Sequence, residues 1–303
     1  MMIKSRLLAV GVSLSMAAVV GSVRAAEPMP GFTLAKIKTA NSIALGHRTT
    51  SIPFSYYDSS QNVVGFSHDV CMEVVEQVKK RLALPALQVR MIPVTSQNRI
   101  SLVQNGIVDL ECGITSNIKV RQQQVAFSNT IFVAGPRLLV KKGSGINDFG
   151  DLGGKTVVTN AGTTSERILR KMNDERGTNI RIYSSKDYGE SFLILQSGRA
   201  AAFMLDDVVL YGTRSSATNP EEWTVVGTPQ SVEPYALMMR KDDPEFKALV
   251  DGTLAAMMRS GRMAAIYEKW FQKPVPPKGT NFNLPMSDAV KKAFASPNDL
   301  AFD

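Results

Sequence analysis

Three short apolar runs, Ser42–Gly46, Val89–Val94 and Val108–Cys112, are separated by helical stretches. That alternation restricts the first part of the chain to an α/β fold with a parallel sheet. The helical character between the first two runs is plain. Val70, Val74, Val78 and Leu82 recur at i, i+4 spacing and give an amphipathic helix over Asp69–Leu82. Ile100, Leu102 and Val103 then start a short helical turn that stops at Gly106.

A second alternation begins after an extended segment, Ile131–Lys141. Strands are expected at Thr156–Thr159, Ile180–Tyr183, Ala201–Leu205 and Trp223–Val226, with helices at Glu166–Asp174 and Gly189–Gln196. Tyr235–Arg240 is extended again and returns to the first unit, followed by helices Asp243–Ser260 and Arg262–Phe271. The pattern predicts two α/β domains joined by two crossing hinge segments. Lobe 1 is 26–134 with 232–303, and lobe 2, inserted into it, is 135–231. A chain of 303 residues suits two such units.

The first residues read as a leader. Lys4 and Arg6 precede an apolar run, Leu7–Val20, and Val23-Arg24-Ala25 offers small residues at a cleavage site after Ala25. The run is about 14 residues, short of the roughly 20 a membrane-spanning helix needs. Residues 1–25 are therefore expected to be a cleaved signal peptide, and the mature chain to be exported, in a Gram-negative cell to the periplasm. Cleavage lowers the net charge of +8 by three. The remaining excess is spread along the chain, which argues against a nucleic-acid partner and suits a protein that attracts anions.

An exported chain with two cysteines, Cys71 and Cys112, either pairs them or buries two free thiols. The two histidines, His47 and His68, lie at no zinc-ligand spacing with the cysteines, so no metal and no cofactor are expected. There is no Gly-x-Ser-x-Gly elbow and no phosphate loop. His47, beside Arg48, reads as a packing or hydrogen-bonding residue, because a general base also needs a placed partner.

Chemistry concentrates at the carboxyl ends of the strands, where open α/β sheets bind ligands. Arg48, Arg99 and Arg121 all follow strands of the first unit. A guanidinium is a planar fork of donors matched to a carboxylate. Each charge-assisted bond contributes roughly 1.5–3 kcal/mol, so two or three around one carboxylate suffice for micromolar binding, about −8 kcal/mol. Val108–Cys112 alternates, with Asp109 and Glu111 on one face, and Gly113–Asn117 is expected to be a polar loop. Gly162-Thr163-Thr164-Ser165 lies between a strand and a helix start, where unpaired N–H groups favour an anion, or where a threonine merely caps the helix. Asp206 ends an apolar strand and either receives an ammonium group or caps the next helix. Together these residues point to a small dicarboxylate.

Several short pieces carry a resemblance. They are Gly46-His-Arg48, Pro53-Phe-Ser-Tyr-Tyr57, Thr95-Ser-Gln-Asn-Arg-Ile100, Asp109-Leu-Glu-Cys-Gly113, Ala161-Gly-Thr-Thr-Ser-Glu166, Phe203-Met-Leu-Asp-Asp207 and Arg240-Lys-Asp-Asp243, with Lys269-Trp-Phe271 and Pro276-Pro-Lys278 beyond them. In this order they resemble the periplasmic glutamate/aspartate-binding proteins of polar amino-acid ABC transporters, over nearly the whole mature chain. The resemblance implies the two-lobed periplasmic binding protein fold, no catalysis, and a monomer that hands its ligand to an ABC permease at the inner membrane. It also implies roles. Arg121 takes the α-carboxylate with Ser96 and Thr164, Asp206 takes the α-ammonium, and Arg48 and Arg99 hold the side-chain carboxylate.

Two positions depart from that family's pattern. Tyr188 stands in Lys186-Asp-Tyr-Gly189 where a histidine is usual, and Gly113-Ile114-Thr115-Ser116 replaces Gly-Ser-Thr-Thr. Tyr188, Ile114 and Ser116 are therefore also expected at the ligand, in a pocket less polar than the family's. A tyrosine still donates one hydrogen bond but carries no positive charge. The alternatives are a binding protein for another dicarboxylate, a sensor subunit, or a periplasmic carboxylate lyase (dehydratase-like) using Glu111, His47 or Tyr188.

Overall fold

The computed structural model describes residues 32–302. The expected leader, 1–25, and the segment that follows it to residue 31 lie outside the described residues.

The first part of the chain contains α1 (Phe32–Ala40), β1 (Ser42–His47), β2 (Thr50–Ser51), β3 (Ser55–Tyr57), β4 (Val63–Val64), α2 (Phe66–Leu82), β5 (Gln88–Pro93), α3 (Arg99–Gln104), β6 (Leu110–Ser116), α4 (Lys119–Gln122), β7 (Val125–Phe127) and β8 (Phe132–Ala134). The second run contains β9 (Pro136–Lys141), β10 (Thr156–Asn160), α5 (Thr164–Arg176), β11 (Arg181–Ser185), α6 (Tyr188–Gln196), β12 (Ala202–Asp206), α7 (Asp207–Ser216) and β13 (Trp223–Val226). The chain closes with β14 (Glu233–Arg240), α8 (Pro244–Arg259), α9 (Arg262–Phe271) and α10 (Asp288–Ala295).

Two sheets form the two lobes. The larger has the order β5-β1-β6-β14-β7, with β8 also paired to β14, and the smaller has the order β11-β10-β12-β9-β13. β1 runs parallel to β5 and β6, and β10 runs parallel to β11 and β12, as crossover helices require. β14 is antiparallel to β6, β7 and β8 and closes the larger sheet from far along the sequence. The chain crosses between the sheets twice. One crossing is Gly135, between β8 and β9, and the other is 227–232, between β13 and β14.

Hydrophobic periodicity explains the packing. α2 buries Val70, Cys71, Val74, Val75 and Val78 and ends on Ala83 in the left-handed region, whose N–H returns to the last turn. Gly65 must be glycine, since φ is 135° and a Cβ there would lie 2.2 Å from the Phe54 carbonyl oxygen. Phe54 is the centre of an aromatic cluster, edge-on to Phe66, Phe132, Tyr235 and Phe271 at 5.0–5.9 Å between ring centroids. Cys71 and Cys112 form a disulfide that ties α2 to β6, settling a pairing that the sequence leaves open.

β6 differs most from expectation. The stretch expected to be a polar loop, Gly113–Asn117, is strand as far as Ser116, and every residue of β6 is buried. Tyr235 and Ala236 of β14 pair with Ser116 and Thr115 and extend the strand. Asp109 and Glu111 are both buried. Asp109 accepts from Lys36 Nζ at 2.7 Å and from the Ala44 N–H at 2.9 Å, so it is a structural acid beneath β1. Glu111 is fully buried and accepts from Thr115 Oγ1 at 2.8 Å.

The lobes touch outside the cleft as well as within it. Lys278, in the segment after α9, donates to the carbonyls of Ser216 and Ala217 at 2.9 and 2.7 Å, at the C-terminal end of α7. A cation suits that end of a helix.

Candidate functional site

The carboxyl ends of β1 and β6, the start of α3 and the short α4 bring Arg48, Arg99 and Arg121 to the face that meets β12. All three guanidiniums are buried. Arg99 is only 2% exposed. Burying a cation costs several kcal/mol unless it is paired, so three together demand an explanation. Burial lowers the Arg99 guanidinium from its ordinary value, with Glu111 opposing and Arg48 adding to the effect. Burial, then repulsion from Arg99, brings Arg121 down to about 9, which leaves it charged at neutral pH.

Arg121 spans the cleft. Its Nη1 donates to the Ser116 carbonyl at 3.0 Å and its Nη2 to the Gly162 carbonyl at 3.2 Å, on the smaller-sheet side. Arg48 lies over the ring of Tyr188, the first residue of α6, with Cζ 4.9 Å from the ring centroid. Gly162 closes against Ser96 so tightly that a Cβ would sit 2.8 Å from the Ser96 carbonyl oxygen.

Across from the arginines, Asp206 is buried at the end of β12. It occupies the cap position of α7 yet makes no cap bond. Asp207 does that work, accepting from the Val208 N–H at 2.8 Å. Asp206 Oδ2 instead accepts from the Tyr235 hydroxyl. Burial, then the Glu233 charge, pushes the Asp206 carboxyl well above the usual carboxylate range.

Four buried polar atoms around this space have no hydrogen-bond partner: Arg48 Nη1, Ser96 Oγ, Arg99 Nε and Asp206 Oδ1. Leaving such a group unpaired costs about 1–3 kcal/mol, more when it is charged. Glu111 Oε1 and Glu233 Oε2 are also unpartnered and buried. The arrangement suits a small molecule that is anionic at two ends and cationic at one point.

The remaining expected residues, Ser116, Ile114 and Thr164, are all buried. Ser116 is buried and offers its carbonyl to Arg121. Ile114 lies two residues before it on β6, on the face shared by Leu110 and Cys112, and joins the continuous apolar cluster that includes Tyr188 and Tyr235. Thr164 is the buried first residue of α5. Thr163 is the cap, accepting from the Glu166 N–H at 3.1 Å. The Gly162 N–H is taken by Glu166 Oε2 at 2.9 Å and the Thr163 N–H by the Asn160 carbonyl at 3.3 Å. This corrects the expectation of a row of free amides and narrows it to those of Thr164 and Ser165.

His47 is a packing residue. It is buried, with Nδ1 3.0 Å from the Arg48 carbonyl oxygen, and burial lowers its pKa. Among the described residues, no group of three His, Cys, Asp or Glu side chains is placed to hold a metal ion, and no helix is long and apolar enough to cross a membrane. A surface groove of about 750 Å³ between α2 and α8, lined by residues such as Glu73, Arg81 and Met257, includes none of the expected site residues.

Residues 43–273 match the family described as bacterial extracellular solute-binding proteins, family 3. The chain belongs to that family. Among its relatives, the glutamate/aspartate import solute-binding protein of Escherichia coli strain K12 is 53% identical over 278 residues, covering 92% of each chain. The L-glutamate/L-aspartate-binding protein of Pseudomonas aeruginosa is 55% identical over 270 residues, covering 89% of each. The solved structure of an ancestral amino acid-binding protein, AncCDT-1, described as a precursor of cyclohexadienyl dehydratase, superposes with a TM-score of 0.67. It is 27% identical and spans 79% of this chain and 100% of that one. The family 3 architecture accounts for the two sheets, the double crossing and the enclosed polar cluster between them.

Reading the sequence missed Glu233 and Tyr235. Both lie at the start of β14, where the pattern showed only an extended run. No local signal marks Glu233 in Ser231-Val-Glu-Pro234.

Proposed function

We propose that this family 3 protein captures an acidic amino acid of the glutamate/aspartate kind and delivers it to an ABC permease. The observation that carries this reading is the set of unpartnered buried atoms: cationic or hydroxylic donors at Arg48, Ser96 and Arg99, and an anionic acceptor at Asp206. A ligand carboxylate satisfies the donors, and an ammonium satisfies Asp206. Arg121, already bonded to both sides of the cleft, holds the α-carboxylate with Ser96 and Thr164, while Arg48 and Arg99 hold the side-chain carboxylate. Ile114, Ser116 and Tyr188 complete the wall.

The lobes on this reading are 26–134 with 232–303, and 135–231, and they shut by rotation about the two crossings. The protein acts as a periplasmic monomer after loss of residues 1–25 and makes or breaks no covalent bond. Of the candidate acids and bases, one Glu111 oxygen accepts from Thr115 and His47 Nδ1 meets a backbone carbonyl. The names of the relatives, glutamate/aspartate import and binding proteins, support the ligand class.

Tyr188 under Arg48 and Ile114 on β6 make the pocket less polar than the family's usual pattern, which favours weaker binding or an altered acidic ligand. Calorimetric titration with L-aspartate, L-glutamate, their amides and C4–C5 dicarboxylates tests both points. Micromolar or tighter binding of an acidic amino acid is expected. Binding of the amides alone overturns the reading, and ordinary tight binding of glutamate removes the altered-specificity part of it.

A further inference from the structure

Glu233 and Asp206 are distant in sequence but flank the same point of the backbone. Glu233 pairs with Ala134 on β8, and Asp206 pairs with Pro136 on β9. Only Gly135 separates those partners, so the two carboxylates flank the first crossing from opposite sheets. Tyr235 lies two residues beyond Glu233 and therefore on the same face of β14, and its hydroxyl reaches Asp206. Backbone pairing thus brings Glu233 toward the end of β12 that holds Asp206.

Each carboxylate keeps one oxygen in hand. Glu233 Oε1 accepts from Ser231 Oγ and Asp206 Oδ2 from Tyr235. Glu233 Oε2 and Asp206 Oδ1 are buried with no partner, in residues only 2% and 5% exposed. Arg121 is attracted to both acids. It already donates to two carbonyls. Two buried carboxylates without a cation between them repel each other.

We propose that Glu233 is a second carboxylate of the ammonium subsite, so that this site requires a primary amine beside the ligand's carboxylate. The inference rests on the acidic-amino-acid reading above and sharpens it. An ammonium has three donors and no acceptor. One goes to Asp206 Oδ1 and a second to Glu233 Oε2. A plain dicarboxylate brings two negative charges and no donor, leaving both acids uncompensated in a dry cleft. The pair therefore selects against desamino dicarboxylates, although the arginines alone would accept them.

The test compares Kd for L-aspartate and L-glutamate with Kd for succinate and glutarate, by calorimetry on the mature protein and on Glu233→Gln. The wild type is expected to prefer the amino acid at least a hundredfold. Glu233→Gln is expected to lose at least tenfold for the amino acid while binding the desamino acid equally or better, so the preference narrows at least tenfold. A merely structural role predicts equal losses for both ligands, and that result overturns the inference. Glu233→Asp keeps the charge and is expected to hold the preference within threefold. If Glu233→Gln does not fold, Glu233→Ser carries the same comparison, and equal losses for both ligands again overturn the proposal. A wild type that binds no acidic amino acid refutes the underlying reading instead.

Discussion

Replacing Arg121 by lysine keeps the charge and removes the fork. The guanidinium joins the Ser116 carbonyl at 3.0 Å and the Gly162 carbonyl at 3.2 Å, which leaves other N–H donors for a carboxylate. A single ammonium on a flexible stem cannot serve all three directions. Hydrogen bonds to charged groups contribute about 1.5–3 kcal/mol each. Loss of one contact to Gly162 and one of two parallel bonds to the ligand, partly offset by the retained charge, comes to about 3 kcal/mol. That is roughly a hundredfold rise in Kd. The contact to Ser116 stays within the larger-sheet lobe, so part of the damage appears in the empty protein as a lower Tm. The assay is calorimetric titration of Arg121→Lys with L-glutamate at pH 7.5, alongside thermal unfolding of the empty protein. A Kd within threefold of wild type would refute the assignment of Arg121 to the ligand's carboxylate.

Three further outcomes are expected. Asp206 holds its proton more tightly folded than unfolded, so the stability it contributes is present at acid pH and is lost as pH rises through its folded value. Asp206→Asn should therefore raise the Tm of the empty protein at pH 7.5 by roughly 2–6 °C, from about 1–2 kcal/mol. The gain should shrink toward pH 4, while amino-acid binding falls at least a hundredfold; an unchanged Tm at both pH values refutes the buried-charge argument. Removing the disulfide with Cys71→Ser and Cys112→Ser opens a loop with a sequence separation of 41, worth about 4 kcal/mol in the chain-entropy account. Scanning calorimetry should show a Tm lower by roughly 10 °C, and a shift of only 1–2 °C would contradict it. Gly162→Ala places a Cβ 2.8 Å from the Ser96 carbonyl, at a φ of +80°, so ligand affinity should drop at least tenfold while the empty protein loses only about 1 kcal/mol from the backbone conformation. Equal affinity would mean that the two loops do not meet in the bound state.

Periodicity made most of the elements legible. The valine ladder of α2 and the alternating strands of both sheets could be read because their patterns are local. What escaped was set by distant partners. β6 runs on to Ser116 because β14 pairs with it, and Gly113-Ile-Thr-Ser116 carries no local sign of that pairing. Alternation placed Glu111 opposite the apolar face of its strand but could not show that it is buried there, beside Thr115 and the arginines. The arginine cluster could be anticipated because ligands gather at strand ends. Glu233 could not, since its importance comes from flanking Gly135, a relation that exists only once both sheets are assembled.

The lysine that reaches from the tail to the end of α7 touches no part of the cleft. On the proposed rotation of the lobes, its two bonds favour the shut shape whether or not a guest is inside. Every increment of about 1.4 kcal/mol gained that way makes idle, shut molecules ten times commoner relative to open ones. A membrane receiver that recognises only the outer contour cannot tell such molecules from loaded carriers. The strength of this external clasp therefore contributes to a floor on futile encounters as well as to uptake.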